Sequence, residues 1–103
     1  MEAKETEAGS TTARAKAVIR NSAGIHCRPT SVIVKTAREF NDEITIRNQE
    51  GNTANPCSAI EILGLGLDQG AEAEIEVTGP TAEECCQRLV EVLEREYDFP
   101  PLD

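Results

Sequence analysis

The only histidine of the chain, His26, stands in the stretch Gly24-Ile25-His26-Cys27-Arg28-Pro29, whose side chains suit phosphoryl chemistry. Neutral imidazole is a nucleophile near physiological pH and can form a covalent adduct. Arg28 carries a permanently charged, planar guanidinium that matches the oxygens of a phosphate. The two side chains predict a site where His26 accepts a phosphoryl group and Arg28 stabilises it.

The stretch joins a predicted strand to a predicted helix, and this position explains its other residues. Amides at a helix N-terminus lack intrahelical acceptors and, with the helix dipole, bind anions. Gly24 permits backbone conformations closed to residues with a Cβ. Pro29 suits the first helical position, where no N–H is needed. We therefore expect Gly24, Cys27 and Pro29 to support the phosphate loop around His26. The competing interpretation is that His26 is a helix cap or an ordinary surface residue.

The elements that must position this loop follow from the hydrophobic pattern. Strands are predicted where apolar residues alternate with polar ones, around Ala15–Ile19, Ile44–Ile46, Thr53–Ala54 and Ala73–Val77. A helix beginning at Pro29 places Ile33, Ala37 and Phe40 on one face.

Two further helices are predicted from N-terminal capping boxes, Ser58 with Glu61 and Thr81 with Glu84. The resulting order is β-α-β-β-α-β-α. Alternating strands imply a sheet with one buried and one exposed face, so we predict an α+β fold with helices on a single side.

Length and charge limit the functions that the chain can have. Its 103 residues suit one domain, which we place at residues 14–97, between an acidic disordered tail (1–13) and a C-terminal tail (98–103). A net charge of −9 argues against nucleic acid and anionic membranes as partners. The chain has neither a long apolar run nor a signal-peptide core, so we expect a soluble cytoplasmic protein.

Other reactive residues are interpreted structurally. The four cysteines contain no C-x-x-C pair, and in the cytoplasm reduced thiols are expected. Cys85 and Cys86 lie about 100° apart on a helix, which favours packing over zinc binding. The glutamates at 72, 74 and 76 are typical of a solvated strand face. No spacing predicts a metal site, and thiol-based redox or metal binding is retained only as a third hypothesis.

Two separated motifs resemble the HPr family, the histidine phosphocarriers of the bacterial phosphoenolpyruvate-dependent sugar phosphotransferase system. The family loop G-[LI]-H-A-R-P stands here at residues 24–29, and the helix after it ends with Ala37-Arg38-Glu39-Phe40. The second motif, a serine opening a short apolar helix followed by glycines, stands at residues 58–66 and Gly70. The resemblance covers about residues 14 to 97.

The resemblance implies a four-stranded antiparallel open-faced β-sandwich with three helices on one face. It implies that His26 accepts a phosphoryl group from phosphorylated enzyme I and passes it to enzyme IIA components of sugar uptake systems, with Arg28 assisting. The protein would then be a carrier and not an enzyme, would need no cofactor, and is expected to be a monomer. In the family the short helix belongs to the docking surface, and here Ile60 and Leu63 would supply its exposed apolar side chains.

Ser58 matches the serine that HPr kinase/phosphorylase modifies in many members of the family. A phosphate at this N-cap would face the helix dipole and place negative charge on the docking surface. The alternative function is thus a regulatory interaction protein controlled by phosphorylation of Ser58. Alternatively, Ser58 is only an N-cap.

The chain departs from the family pattern at several positions. Cys27 replaces the usual alanine, either as a small packing substitute or as an oxidisable thiol beside the site. Pro56-Cys57 precede Ser58 where many members carry lysine. Glu61 replaces a small residue in the short helix, which bears on recognition by enzyme I and the kinase.

Overall fold

The computed structural model describes residues 11–97, which form a four-stranded sheet and three helices. The elements are β1 (Thr11–Val18), α1 (Cys27–Arg38), β2 (Glu43–Arg47), β3 (Thr53–Ala54), α2 (Ala59–Gly64), β4 (Glu72–Gly79) and α3 (Ala82–Glu94). The predicted order β-α-β-β-α-β-α is confirmed. The predicted tails fall mostly on residues 1–10 and 98–103, which lie outside the described residues.

The sheet is antiparallel throughout, with strand order β1-β4-β2-β3. Its inner face is apolar because every second residue of the strands points to the core, as at Ile46, Ile75 and Val77, each at most 1% exposed. The other face carries charged cross-strand pairs. Arg14 lies 3.2 Å from Glu76, and Arg47 lies 3.3 Å from Glu74. The prediction of a solvated glutamate face is confirmed.

The helices cover the apolar face and make the fold an open-faced α+β sandwich, as predicted. Helix α3 packs across β1 and β4, α1 packs against α3, and α2 packs against α1. Both Cys85 and Cys86 are buried in the apolar stripe of α3, and all four cysteines of the chain have free thiols. Burial, followed by the nearby Asp42 carboxylate, raises the pKa of the Cys85 thiol to about 12. Burial also raises the pKa of Cys86.

Two element boundaries differ from the sequence prediction. Strand β1 begins at Thr11, inside the predicted tail, because it pairs with the whole of β4 as far as Gly79. The hydroxyls of Thr12 and Thr78 share a hydrogen bond of 3.0 Å in this added stretch. Helix α1 begins at Cys27, so Pro29 is its third residue. A proline is tolerated there because the first four amides of a helix have no intrahelical acceptor.

The predicted capping box at Thr81 is wrong. Thr81 occupies the N-cap position of α3, but its side chain makes no capping hydrogen bond. Its hydroxyl donates to Asp42 Oδ1 at 2.6 Å, and its amide donates to Asp42 Oδ2 at 3.0 Å. The carboxylate of Asp42, just before β2, thus fastens the turn between β4 and α3.

Candidate functional site

The loop before α1 is held by the backbone of a second loop, which follows α2. The amide of Ile25 donates to the carbonyl oxygen of Leu67 at 2.8 Å. Gly24 has a φ of +75°, and a Cβ built on it would lie 2.6 Å from the same oxygen. Both the left-handed conformation and the close approach therefore require glycine, as the sequence predicted for Gly24 on conformational grounds.

His26 is the N-cap residue of α1 and is half-buried. Its backbone is extended and its carbonyl accepts from the Thr30 amide at 2.9 Å, so the helix starts directly after it. The imidazole makes no capping hydrogen bond to this helix. The interpretation of His26 as a cap therefore holds for its position in the chain and not for its side chain.

The first turn of α1 favours an anion next to His26. No residue of this turn, within the described helix Cys27–Arg38, is acidic, while Lys35 and Arg38 lie in the last turn. The positive end of the helix dipole is thus not neutralised by a carboxylate of the same turn. Cys27 and Arg28 are exposed, whereas Pro29 is buried and anchors the turn to the core.

Arg28 is tied to the segment that follows α3. Its Nη1 donates to the carbonyl oxygen of Tyr97 at 3.4 Å, a long contact that uses one of the five N–H donors of the guanidinium. Tyr97 itself is buried, and its hydroxyl donates to the carbonyl oxygen of Val92 at 2.8 Å. Burial raises the pKa of the Tyr97 hydroxyl, and the Arg95 guanidinium partly opposes that shift. The residue whose carbonyl faces Arg28 is therefore anchored in the core by its side chain.

Sequence reasoning missed Asn21 and Tyr97. An asparagine just after a strand is typical of a turn, yet Asn21 is fully buried. Its Nδ2 donates to the carbonyl oxygen of Gly24 at 2.8 Å, and its Oδ1 accepts from the amide of Tyr97. A buried amide side chain needs such partners. The type of the residue gives no hint of this, since asparagine after a strand is usual in exposed turns.

Ser58 is the N-cap of α2, and its Oγ accepts from the Glu61 amide at 3.3 Å. The second half of the predicted capping box does not form, because Glu61 Oε1 accepts from the Asn55 amide at 2.7 Å instead. The carbonyl oxygen of Cys57 accepts from Arg38 at 3.1 Å. Ser58 therefore lies beside the C-terminal end of α1, whereas His26 lies at its N-terminal end.

The predicted docking side chains are exposed on α2. Ile60 is 79% exposed and Leu63 is 43% exposed, although Ile62 between them is 1% exposed and packs in the core. Helix α2 lies against α1, and the chain after it returns to the loop of His26 through Leu67. The segment that follows the exposed apolar side chains thus contacts the residue just before His26.

Among residues 11–97, no three His, Cys, Asp or Glu side chains come together in a way that would hold a metal ion. In the same part of the chain, no helix has the length and apolar character needed to cross a bilayer.

The fold and this site define a small open-faced sandwich that presents a histidine at a helix N-terminus. Residues 13–95 match the family model described as the PTS HPr component phosphorylation site. The chain therefore belongs to the HPr family of phosphocarrier proteins.

Individual relatives agree with this assignment. The phosphocarrier protein NPr of Escherichia coli is 32% identical over 80 residues, which cover 78% of this chain and 89% of that protein. The crystal structure of an HPr from Bacillus anthracis superposes with a TM-score of 0.76 at 25% identity, covering 82% of this chain and 99% of the other. The multiphosphoryl transfer protein of Salmonella typhimurium is 34% identical over 77 residues, and this chain spans only 20% of its length.

Proposed function

We propose that this chain is a phosphoryl carrier that accepts a phosphoryl group on His26 from phosphorylated enzyme I and passes it to enzyme IIA components of sugar uptake systems. The observation that carries the proposal is the placement of His26. Its half-exposed ring stands at the N-cap of α1, beside a first turn without acidic residues and two positions before the exposed Arg28. This arrangement favours an anionic adduct on the ring.

The transfer requires little chemistry from this chain itself. A ring nitrogen of His26 attacks phosphorus, a nitrogen–phosphorus bond forms, and the bond between phosphorus and the donor breaks. The donor group keeps the electron pair of the broken bond. Arg28 and the first-turn amides stabilise charge on the three phosphoryl oxygens during this step. The protein then acts as a transfer intermediate and not as an enzyme, because the docked partner supplies the remaining groups.

Docking is proposed to use the surface formed by the start of α1 and by Ile60 and Leu63 of α2. Exposed apolar side chains of this size are common anchors at interfaces. A monomer in the cytoplasm would present this surface to each partner in turn, first to enzyme I and then to an enzyme IIA.

The alternative function is regulation through Ser58 by a kinase such as HPr kinase/phosphorylase. The half-buried hydroxyl stands at the start of α2, where a phosphate would meet free amides. The carboxylate of Glu61 lies in the same first turn and would repel that phosphate. This repulsion acts at the start of α2, the short helix that Ser58 opens. It favours the carrier function over the regulatory one.

A discharge experiment separates the two functions. The protein is labelled with phosphoenolpyruvate carrying radioactive phosphorus and a catalytic amount of enzyme I, and an enzyme IIA domain is then added. The carrier function predicts label that is lost from this chain as it appears on the enzyme IIA domain. Label that forms only with ATP and a kinase, survives acid and disappears in Ser58→Ala would show the regulatory function instead.

A further inference from the structure

We infer that Asn21 is a positioning residue for phosphoryl transfer, which aligns His26 with Arg28 through two hydrogen bonds of its side-chain amide. This inference rests on the proposed function and adds a residue to the site. The two bonds act on the backbone of Gly24 and of Tyr97, and through that backbone on His26 and Arg28.

The first contact fixes the loop that carries the histidine. Asn21 Nδ2 donates to the carbonyl oxygen of Gly24 at 2.8 Å, and the Gly24 amide donates back to the carbonyl oxygen of Asn21 at 2.9 Å. Gly24 is thereby held on both of its backbone polar groups, two residues before His26. The left-handed conformation of this glycine is one that a free loop would leave easily.

The second contact holds the backbone of Tyr97, whose carbonyl oxygen accepts from Arg28. Asn21 Oδ1 accepts from the backbone amide of Tyr97, and the carbonyl of the same residue accepts from Arg28. Tyr97 lies beyond the end of α3, so its amide is not bonded within that helix. A single buried amide group therefore joins the loop of His26 to the segment that orients Arg28.

Alignment of this kind matters because transfer depends on geometry. A misplacement of about 1 Å costs up to about a hundredfold in rate at a reacting centre. The Asn21→Ala variant removes both contacts, so the ring and the guanidinium lose their common support. We expect the rate at which His26 is phosphorylated to fall by about tenfold.

The chain offers a matched control in Asn48, the second buried asparagine among residues 11–97. Its Nδ2 donates to the carbonyl oxygen of Leu65 at 3.0 Å, and its Oδ1 accepts from the amides of Glu50 and Asn52. Asn48→Ala therefore removes another buried amide, with at least as many hydrogen bonds, outside the loop of His26. It should destabilise the fold but leave the rate of phosphorylation within about twofold of the wild type.

The test uses phosphoramidate as a small phosphoryl donor, so that docking of a protein partner plays no part. In this reaction the nitrogen–phosphorus bond of the donor breaks, the bond to the imidazole forms, and ammonia leaves. Rates are measured by intact mass for the wild type, Asn21→Ala, Asn48→Ala, Arg28→Ala and the double variant Asn21→Ala with Arg28→Ala. Circular dichroism checks that each protein is folded.

The double variant supplies a readout that a purely structural role would not change. If Asn21 acts by placing Arg28, the loss from Asn21→Ala is at least about threefold smaller once Arg28 is absent. The inference would be overturned if the fold-losses in phosphorylation rate from Asn21→Ala and Arg28→Ala simply multiplied in the double variant. It would also be overturned if Asn21→Ala and Asn48→Ala were phosphorylated at equal rates.

A second variant covers the case in which Asn21→Ala does not fold. Asn21→Asp retains an oxygen to accept from Tyr97 but places a carboxylate oxygen against the Gly24 carbonyl. We expect phosphorylation to be slowed at least about fivefold, and a rate equal to that of the wild type would overturn the inference. If the wild type itself takes up no phosphoryl group, the proposed function fails and the inference falls with it.

Discussion

The guanidinium of Arg28 donates from Nη1 to the backbone carbonyl oxygen of Tyr97, at 3.4 Å. Arg28 belongs to the second position of α1, and Tyr97 follows the last helix of the fold. The contact therefore brings opposite ends of the domain together at the candidate site. It also engages one donor of a side chain whose remaining donors suit a phosphoryl group.

Replacing Arg28 by lysine is the first test of that contact. Arg28→Lys keeps the charge but loses the planar fork, so we expect transfer from enzyme I to slow by about tenfold or more. Stopped-flow or quench kinetics with phosphorylated enzyme I measure this directly. Arg38→Lys, at the other end of the same helix, is the matched control, and an equal loss in both variants would contradict a specific role for Arg28.

Gly24→Ala should destabilise the fold by about 3 kcal/mol, because it combines a left-handed backbone with a collision against the carbonyl of Leu67. Gly51 has a φ of +90° but nothing within 4 Å of a Cβ, so Gly51→Ala carries only the conformational cost. We expect that cost to be about 1 kcal/mol. Urea unfolding of both variants measures the difference, and equal losses would show that the close approach to Leu67 is not important.

The docking surface can be tested without disturbing the core. Ile60→Ser and Leu63→Ser should each raise the KM for enzyme I by about fivefold, since exposed apolar anchors are lost. Phosphorylation by phosphoramidate should not change. Val18 is 40% exposed on the open face of the sheet and provides the control Val18→Ser. The proposed surface would be wrong if Val18→Ser raised the KM for enzyme I as much as the two variants on α2.

Alkaline pH should destabilise the protein through the thiol of Cys85. Its pKa is raised from 9.0 to about 12 in the folded chain, so the folded state retains a proton that the unfolded state releases. The free energy of unfolding should therefore be unaffected by this group below pH 9 and should fall as the pH rises toward 12. Urea unfolding at several pH values measures the slope of the free energy of unfolding against pH. Cys85→Ala should reduce this slope, and an unchanged slope in that variant would refute the assignment.

The sequence predicted the elements of the fold well because its apolar residues alternate cleanly on the strands and recur at helical spacing on α1 and α3. It also predicted the candidate site, since His26, Arg28 and Pro29 lie within four consecutive positions of the chain. The missed features are those that depend on distant pairing. The carboxylate of Asp42 accepts a hydrogen bond from the hydroxyl of Thr81. The side chain of Asn21 accepts one from the amide of Tyr97, which lies 76 positions further along the chain. Local patterns carry no information about such partners.

The most direct test of the central claim is the mass of the intact protein after incubation with phosphoenolpyruvate and enzyme I. The account predicts one added phosphoryl group that is lost in acid, as expected for a nitrogen–phosphorus bond, and no addition to His26→Ala. A phosphoryl group that persists in His26→Ala, or a wild-type protein that gains none, would contradict it.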